Sequence, residues 1–248
     1  MHEKKINIKI FVPFFLSFNM LIFLFCQYVY AFDFPLWEHG PTGYKFAYSD
    51  ALENEKPLIV YFHIEGSIWN ERMNDEYLAS MLINTYLIDI PKVEINGEGG
   101  EDTVKKLVSE YGVKQFPAFF ILAPSFSNGH NRIHPFSENE MSTEEFLNKM
   151  KEVIAYQYNT KAFSYFEKKD YDNALKYYQM SSHYNPEDAY TYYSIGTIYN
   201  FKYYNGDKSR KLLKDARDNY QKAIELNPGH KESLIELEKL RKELNRTD

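Results

Sequence analysis

Gly66-Ser67-Ile68-Trp69-Asn70 stands between an apolar run and a helix-like stretch, and it holds the side chains best suited to catalysis. A Ser hydroxyl becomes a nucleophile for acyl transfer only with a base in hydrogen-bond reach, and His63, four residues earlier, is the nearest one. An altered, non-thiol enzyme would therefore use Ser67 or Asn70 beside His63 or Glu65. The competing reading makes Ser67 a helix N-cap that satisfies an N2 or N3 amide. His130 and His134 are four apart but fall in a hairpin and strand, where periodicity gives them no shared direction, so they do not read as metal ligands. Gly97-Glu98-Gly99-Gly100-Glu101-Asp102 is glycine-rich, but it is acidic and lacks the lysine of a phosphate loop, so it reads as a surface loop. No cofactor or metal is implied, and the one cysteine excludes a disulfide framework and a cysteine-based zinc site.

The 248-residue chain is 44% hydrophobic and 26% charged, values of a globular protein long enough to bury a core. Its net charge of −6 argues against nucleic acid, because a duplex binder needs surplus Lys and Arg to displace counterions. Residues 32–154 carry 10 basic and 20 acidic side chains, whereas 155–248 carry 16 and 14. That shift is expected of two domains.

At the N-terminus, Lys4, Lys5 and Lys9 precede an apolar run from Ile10 to Cys26, followed by Val29-Tyr30-Ala31. This is the layout of a secretory signal peptide cleaved after Ala31. Export to a periplasm is the expectation, with a membrane anchor through residues 10–32 as the alternative. Cys26 as a lipid-attachment site is disfavoured by the bulky Phe25 before it. Cleavage after Ala31 would leave a mature chain with no thiol.

The elements that hold Ser67 and Asn70 are read from hydrophobic period. Pro57 to Phe62 reads as a buried strand after a charged helix-like stretch, Ala47 to Glu55. Met73, Tyr77, Leu78, Met81 and Leu82 recur at three- and four-residue spacing, which predicts one helix from Ser67 to Asn84. A strand from Tyr86 to Ile95, interrupted by Pro91, and a helix from Glu101 to Tyr111 come next. Ala118 to Leu122, a turn at Asn128-Gly129, a strand from Arg132 to Phe136 and a closing helix from Ser142 to Tyr156 complete a β-α-β-α-β-β-α order.

The strand, the short linker, the helix with Met73 six residues past Ser67, and Tyr111-Gly112-Val113-x-x-Phe116-Pro117 before a strand resemble the thioredoxin fold. The resemblance is to its secreted thioredoxin-like branch and covers residues 37–154. In that family a Trp-Cys-x-x-Cys motif opens the helix, and the helix dipole lowers the first thiol's pKa. Here Ser67, Ile68, Trp69 and Asn70 occupy the motif, and neither Ser nor Asn can attack or resolve a disulfide. Pro117 corresponds to the family's cis proline, although the sequence leaves its isomer open. Phe116 corresponds to the residue that offers backbone hydrogen bonds to an extended client. Trp69 reads either as a packing residue against Phe116 or Pro117 or as a client-binding aromatic.

Residues 155–246 repeat. Tyr158, Ala162, Tyr165, Ala174, Tyr178 and Pro186 fit one frame, and so do Tyr192, Gly196, Tyr199, Ala216, Tyr220, Ala223 and Pro228, with an eight-residue insertion between Phe201 and Leu213. This frame resembles tetratricopeptide repeats: two units, then a cap helix from His230 to Asn245 with Leu234, Leu237 and Leu240 on one face. Of 22 tyrosines, 14 lie between Tyr156 and Tyr220. Tyr193, Tyr203 and Tyr204 fall outside the packing positions and are candidates to line a peptide groove.

The expected fold is thus an α/β thioredoxin-like domain followed by an all-α array. The expected role is a non-catalytic adaptor, chaperone-like or assembly factor that holds a peptide segment of another envelope or secreted protein. The alternatives are the Ser67/Asn70 enzyme and a scaffold in which the α/β part only mounts the repeats.

Overall fold

Along the strand Leu58–His63, Ile59 and Tyr61 point to one face while Leu58, Val60 and Phe62 point to the other, and this period of two divides the core. A computed structural model describes residues 37–125, 129–136, 140–206 and 208–246. The expected signal or anchor with Cys26, and Asn128 of the expected turn, lie outside them.

Five strands form a mixed sheet: β1 (Glu38–His39), β2 (Leu58–His63), β3 (Lys92–Asn96), β4 (Ala118–Leu122) and β5 (His130–Ile133), in the order β1-β3-β2-β4-β5. β3 runs parallel to β1 and β2, whereas β4 is antiparallel to both of its neighbours, β2 and β5. Helices α1 (Gly40–Glu53) and α4 (Asp102–Glu110) cover one face through Ala47, Ala51, Val104 and Leu107.

The other face is covered by a segment that departs from the single helix expected from Ser67 to Asn84. α2 (Ile68–Arg72) continues as a π-helical turn (Met73–Leu78), then α3 (Met81–Tyr86) restarts with Ser80 as N-cap. The π turn, closed by Ala79 N–H donating to the Asn74 carbonyl, inserts one residue and rotates the remainder of the segment about its axis. Met73 and Tyr77 stay buried, but Met81 is 70% exposed and Ile83 takes the inward position. Two strand expectations also change. Tyr86 closes α3, because Pro91 leaves only Lys92–Asn96 able to pair. β5 ends at Ile133, before Pro135.

α5 (Thr143–Glu167) completes this face and then continues past it. Ser142 opens it with a capping box: its Oγ accepts from Glu145 N–H at 3.2 Å, and its own N–H donates to Glu145 Oε2 at 2.7 Å. Phe146 packs edge-on to Tyr77 and Phe119 at 5.1 and 5.2 Å, with Met150 and Ile154 buried beyond it. One helix therefore crosses the boundary expected at 154/155, and the residues from Trp37 onward pack as one compact unit.

Four further helices complete the chain: α6 (Tyr171–Tyr184), α7 (Ala189–Asn205), α8 (Arg210–Leu226) and α9 (Lys231–Arg246). α5 and α6 lie antiparallel, because Tyr158 stacks on Tyr184 at 5.7 Å and Tyr165 on Tyr177 at 5.4 Å. Small residues sit where helices touch: a Cβ on Gly196 would come within 2.8 Å of the Tyr220 ring. The inserted residues lengthen α7 and α8 to 17 residues each. On α9, Leu237, Leu240 and Leu244 are buried, while Leu234 is exposed, so the apolar stripe is shifted one turn toward the C-terminus.

One polar contact ties the sheet layer to the helices. Glu55 follows α1 in the left-handed region (φ 52°), closing that helix with Lys56 N–H donating to the Ala51 carbonyl at 2.9 Å. Glycine is the usual occupant of such a turn. A glutamate here reaches Lys161 Nζ at 2.8 Å, accepts from Tyr165 Oη at 3.2 Å, and also accepts from Tyr177 Oη. Burial pushes the Glu55 carboxyl up, but Lys161 and the two hydroxyls outweigh it and hold the pKa below the usual range.

Glu55→Ala is expected to cost about 2 kcal/mol at pH 7, mainly by removing the carboxylate that pairs with the buried Lys161 ammonium and accepts from two tyrosine hydroxyls. Because the folded pKa is lowered, the gap between wild type and Glu55→Gln should be full above the ordinary value of 4.5 and close as pH falls through the folded value, as urea titrations would read. A chain ending at residue 154 loses Tyr158, Ala162 and all three Glu55 partners. It is expected to lose its sharp thermal transition.

Candidate functional site

Gly66, with φ 71°, turns the chain off β2 and sets Ser67 at the start of α2. Ser67 occupies the N-cap position, but its side chain makes no capping hydrogen bond, so that expectation is corrected. The first turn is closed by its carbonyl instead, which accepts from Asn70 N–H at 2.9 Å and Glu71 N–H at 3.0 Å. Asn70 turns inward, where its Oδ1 accepts from the buried Tyr61 hydroxyl at 2.6 Å. That bond gives Tyr61, the largest side chain on this face of β2, the partner that a buried phenol requires.

His63 stacks on Tyr61 at 5.4 Å and makes no hydrogen bond to Ser67 among the described residues. Its Nδ1 is buried without a partner. Burial lowers its pKa more than the Glu94 and Glu65 carboxylates raise it, and His39 lowers it further. The imidazole is thus neutral near pH 7 but points to no nucleophile. Among the described residues, no three His, Cys, Asp or Glu side chains group as a metal site. His130 stacks on Tyr111 at 5.3 Å, whereas His134 faces a groove beyond β5.

That groove, about 260 Å³ in volume, is where the structure brings Trp69, Phe116 and Pro117 together, joined by Arg132, His134 and Phe136. The Phe116–Pro117 peptide bond is cis. Trp69 is 44% exposed and rests at 5.3 Å on Phe136, rather than stacking on Phe116 or Pro117. The Arg72 guanidinium lies 5.5 Å over Trp69 and 5.0 Å over Phe136, and both Glu76 and Glu140 pair with it. The loop after β3 meets the groove from behind: a Cβ on Gly97 would lie 2.1 Å from Cε1 of Phe116. Only glycine leaves room for that ring. The backbone N–H and C=O of Phe116 make no hydrogen bond among the described residues, at the point where the chain enters β4.

Sequence reasoning passed over Arg132, His134 and Phe136 as groove residues. The signal was weak, because their position depends on the β4–β5 register, in which Phe120 pairs with Arg132.

The three tyrosines proposed for a helical groove separate. Tyr203 is 6% exposed in the core with Leu213, Tyr220 and Leu240, which corrects its assignment to a surface. The inserted residues extend α7 by a further turn, and that turn carries Tyr203 onto the inner face of the helix. Tyr204 is exposed on the far side, with the Lys208 ammonium 5.2 Å over its ring. Tyr193 lines a cleft of about 140 Å³ between α5 and α7 with Phe163, Phe166, Tyr178 and Tyr190.

No family model matches the chain, and no curated protein matches it either. Among the described residues, no helix is long and apolar enough to cross a membrane.

Gly97→Ala is expected to push the Phe116 ring out of its seat and cost about 1 kcal/mol. In a Phe116→Ala background the same change should cost close to nothing, so a double-mutant cycle by urea unfolding reads the contact directly. Additive costs would show that the ring yields freely.

Proposed function

We propose that this protein is an exported, redox-inactive thioredoxin-like protein fused to tetratricopeptide-type helical hairpins, and that it works by binding an extended segment of another envelope or secreted protein. Support for the fold reading comes from the strand order, the antiparallel β4 and β5, the cis proline that enters β4, and antiparallel helix pairs with Ala or Gly at their closest approach. The observation that carries the functional reading is the Phe116 backbone, without a hydrogen bond among the described residues, beside the exposed Trp69. An extended peptide laid there gains main-chain hydrogen bonds and an aromatic surface without any change in the fold.

Chemistry argues against the redox role. The positions that would hold thiols are Ser67 and Asn70, and the Asn70 amide is occupied by Tyr61. A disulfide exchange needs a thiolate to attack and a second thiol to resolve, and residues 32–248 supply neither. The acyl-transfer alternative lacks a base aimed at Ser67. The cleft of Phe163, Tyr190 and Tyr193 gives the helical half a second apolar surface for the same partner.

The test is binding of a permanently unfolded protein, reduced and carboxymethylated, followed by amide exchange. The Phe116 amide should be protected on binding, and Trp69→Ala should weaken affinity about ten-fold. Reduction of a disulfide-bonded substrate should stay at background. Binding with Phe116 still in free exchange would sink the groove as the contact surface.

A further inference from the structure

Among the described residues, the groove holds a cation with no carboxylate paired to it. Arg132 reaches it from β5, with its guanidinium 5.7 Å over the Phe120 ring. Among the described residues the guanidinium makes one hydrogen bond, from Nη2 to the Gln115 carbonyl at 3.2 Å, and it forms no ion pair. Its Nε is buried without a partner. No acidic side chain is among the described residues that line the groove, and the other titratable group there is His134. Burial and the Arg132 charge both lower the His134 pKa, so this histidine is neutral near pH 7 and leaves Arg132 as the fixed charge.

Arg72 is in the opposite position. That arginine, on the outer side of Trp69, is paired with two carboxylates, and its charge is neutralised within the protein. Residues 32–154 carry twice as many acidic as basic side chains, so an unpaired arginine in a half-enclosed groove is not for want of carboxylates in the sequence. Guanidinium donors left open between aromatic and proline walls match a carboxylate on a chain that also buries apolar groups.

We infer that the groove selects an extended peptide with an acidic side chain, whose carboxylate pairs with the Arg132 guanidinium while its neighbours cover Trp69 and Phe136. The inference rests on the peptide-binding reading above and adds the chemistry of the partner. An internal acidic residue fits better than a chain end. Among the described residues both the N–H and the C=O of Phe116 lack a hydrogen bond, and pairing both calls for a strand that continues in each direction.

The experiment uses the full chain, immobilised, and pools of N-acetylated, C-amidated heptapeptides that are random except for a central Glu, Gln or Lys. A fourth pool, central Gln with a free C-terminal carboxylate, tests the chain-end source. Retained peptides are quantified by mass spectrometry against the wild type, Arg132→Gln, Arg132→Lys and Trp69→Ala. The expected result is about ten-fold enrichment of the Glu pool over the Gln pool. Arg132→Gln should abolish the enrichment and Arg132→Lys should keep part of it, which separates loss of charge from loss of fold. Trp69→Ala should weaken all pools together. Equal retention of Glu and Gln pools that Trp69→Ala still reduces would overturn the acidic preference and leave the peptide groove standing. Preference for the free-carboxylate pool would overturn the internal acidic residue. No retention of any pool would overturn both the preference and the groove.

Discussion

The sheet layer and the first helical hairpin both lean on α5. Its first half is a lid on the sheet, with Phe146, Met150 and Ile154 filling the space over Ile59, Tyr61 and Phe119. Its second half is the first member of the helical stack, with Tyr158, Ala162 and Tyr165 against α6. A rigid rod of 25 residues, buried along one side by two different partners, fixes the orientation of each partner relative to the other. Apolar burial is continuous through Ile154 and Tyr158, so the sheet layer and the first hairpin share one core rather than two.

Glu55 shows how that shared core is held in register. The left-handed turn after α1 costs a residue with a Cβ on the order of 1 kcal/mol. The carboxylate offsets that cost by pairing with the Lys161 ammonium and accepting from the Tyr165 and Tyr177 hydroxyls. A second polar set does the same between α5, α6 and α7, where Asp188 Oδ2 accepts from Thr191 Oγ1 at 2.6 Å and from Asn159 Nδ2 at 3.1 Å, and Ser181 Oγ donates to the Ala155 carbonyl at 3.0 Å. Apolar area supplies the attraction and these pairs select a single arrangement.

The groove is the converse case. Its walls are fixed by packing: Gly97 admits the Phe116 ring, Phe136 supports Trp69, and Phe120 supports Arg132. Yet among the described residues its polar groups are short of partners: the Phe116 backbone makes no hydrogen bond, and the Arg132 guanidinium makes only the one to the Gln115 carbonyl. Donors and an acceptor left open together, between rigid aromatic walls, concentrate binding capacity at that place. Ser67 and Asn70 next to it serve the core: Asn70 holds Tyr61, and Ser67 starts the helix through its backbone.

Local pattern, readable in the sequence alone, accounts for much of this architecture. The apolar runs Leu58 to Phe62 and Ala118 to Leu122, the helix start at Ser142, and the small residues Ala162, Ala174, Gly196 and Ala216 depend on neighbours within a few positions. The absence of thiols past Cys26 is likewise a fact of the chain. Contacts between distant residues settled the rest. The π turn moved Ile83 inward in place of Met81, because one extra residue there rotates the rest of the segment about its axis. The lengthening of α7 buried Tyr203. The placing of Arg132 beside Trp69 required the β4–β5 register, and Glu55 found partners 106 to 122 residues away, separations over which no periodicity carries information.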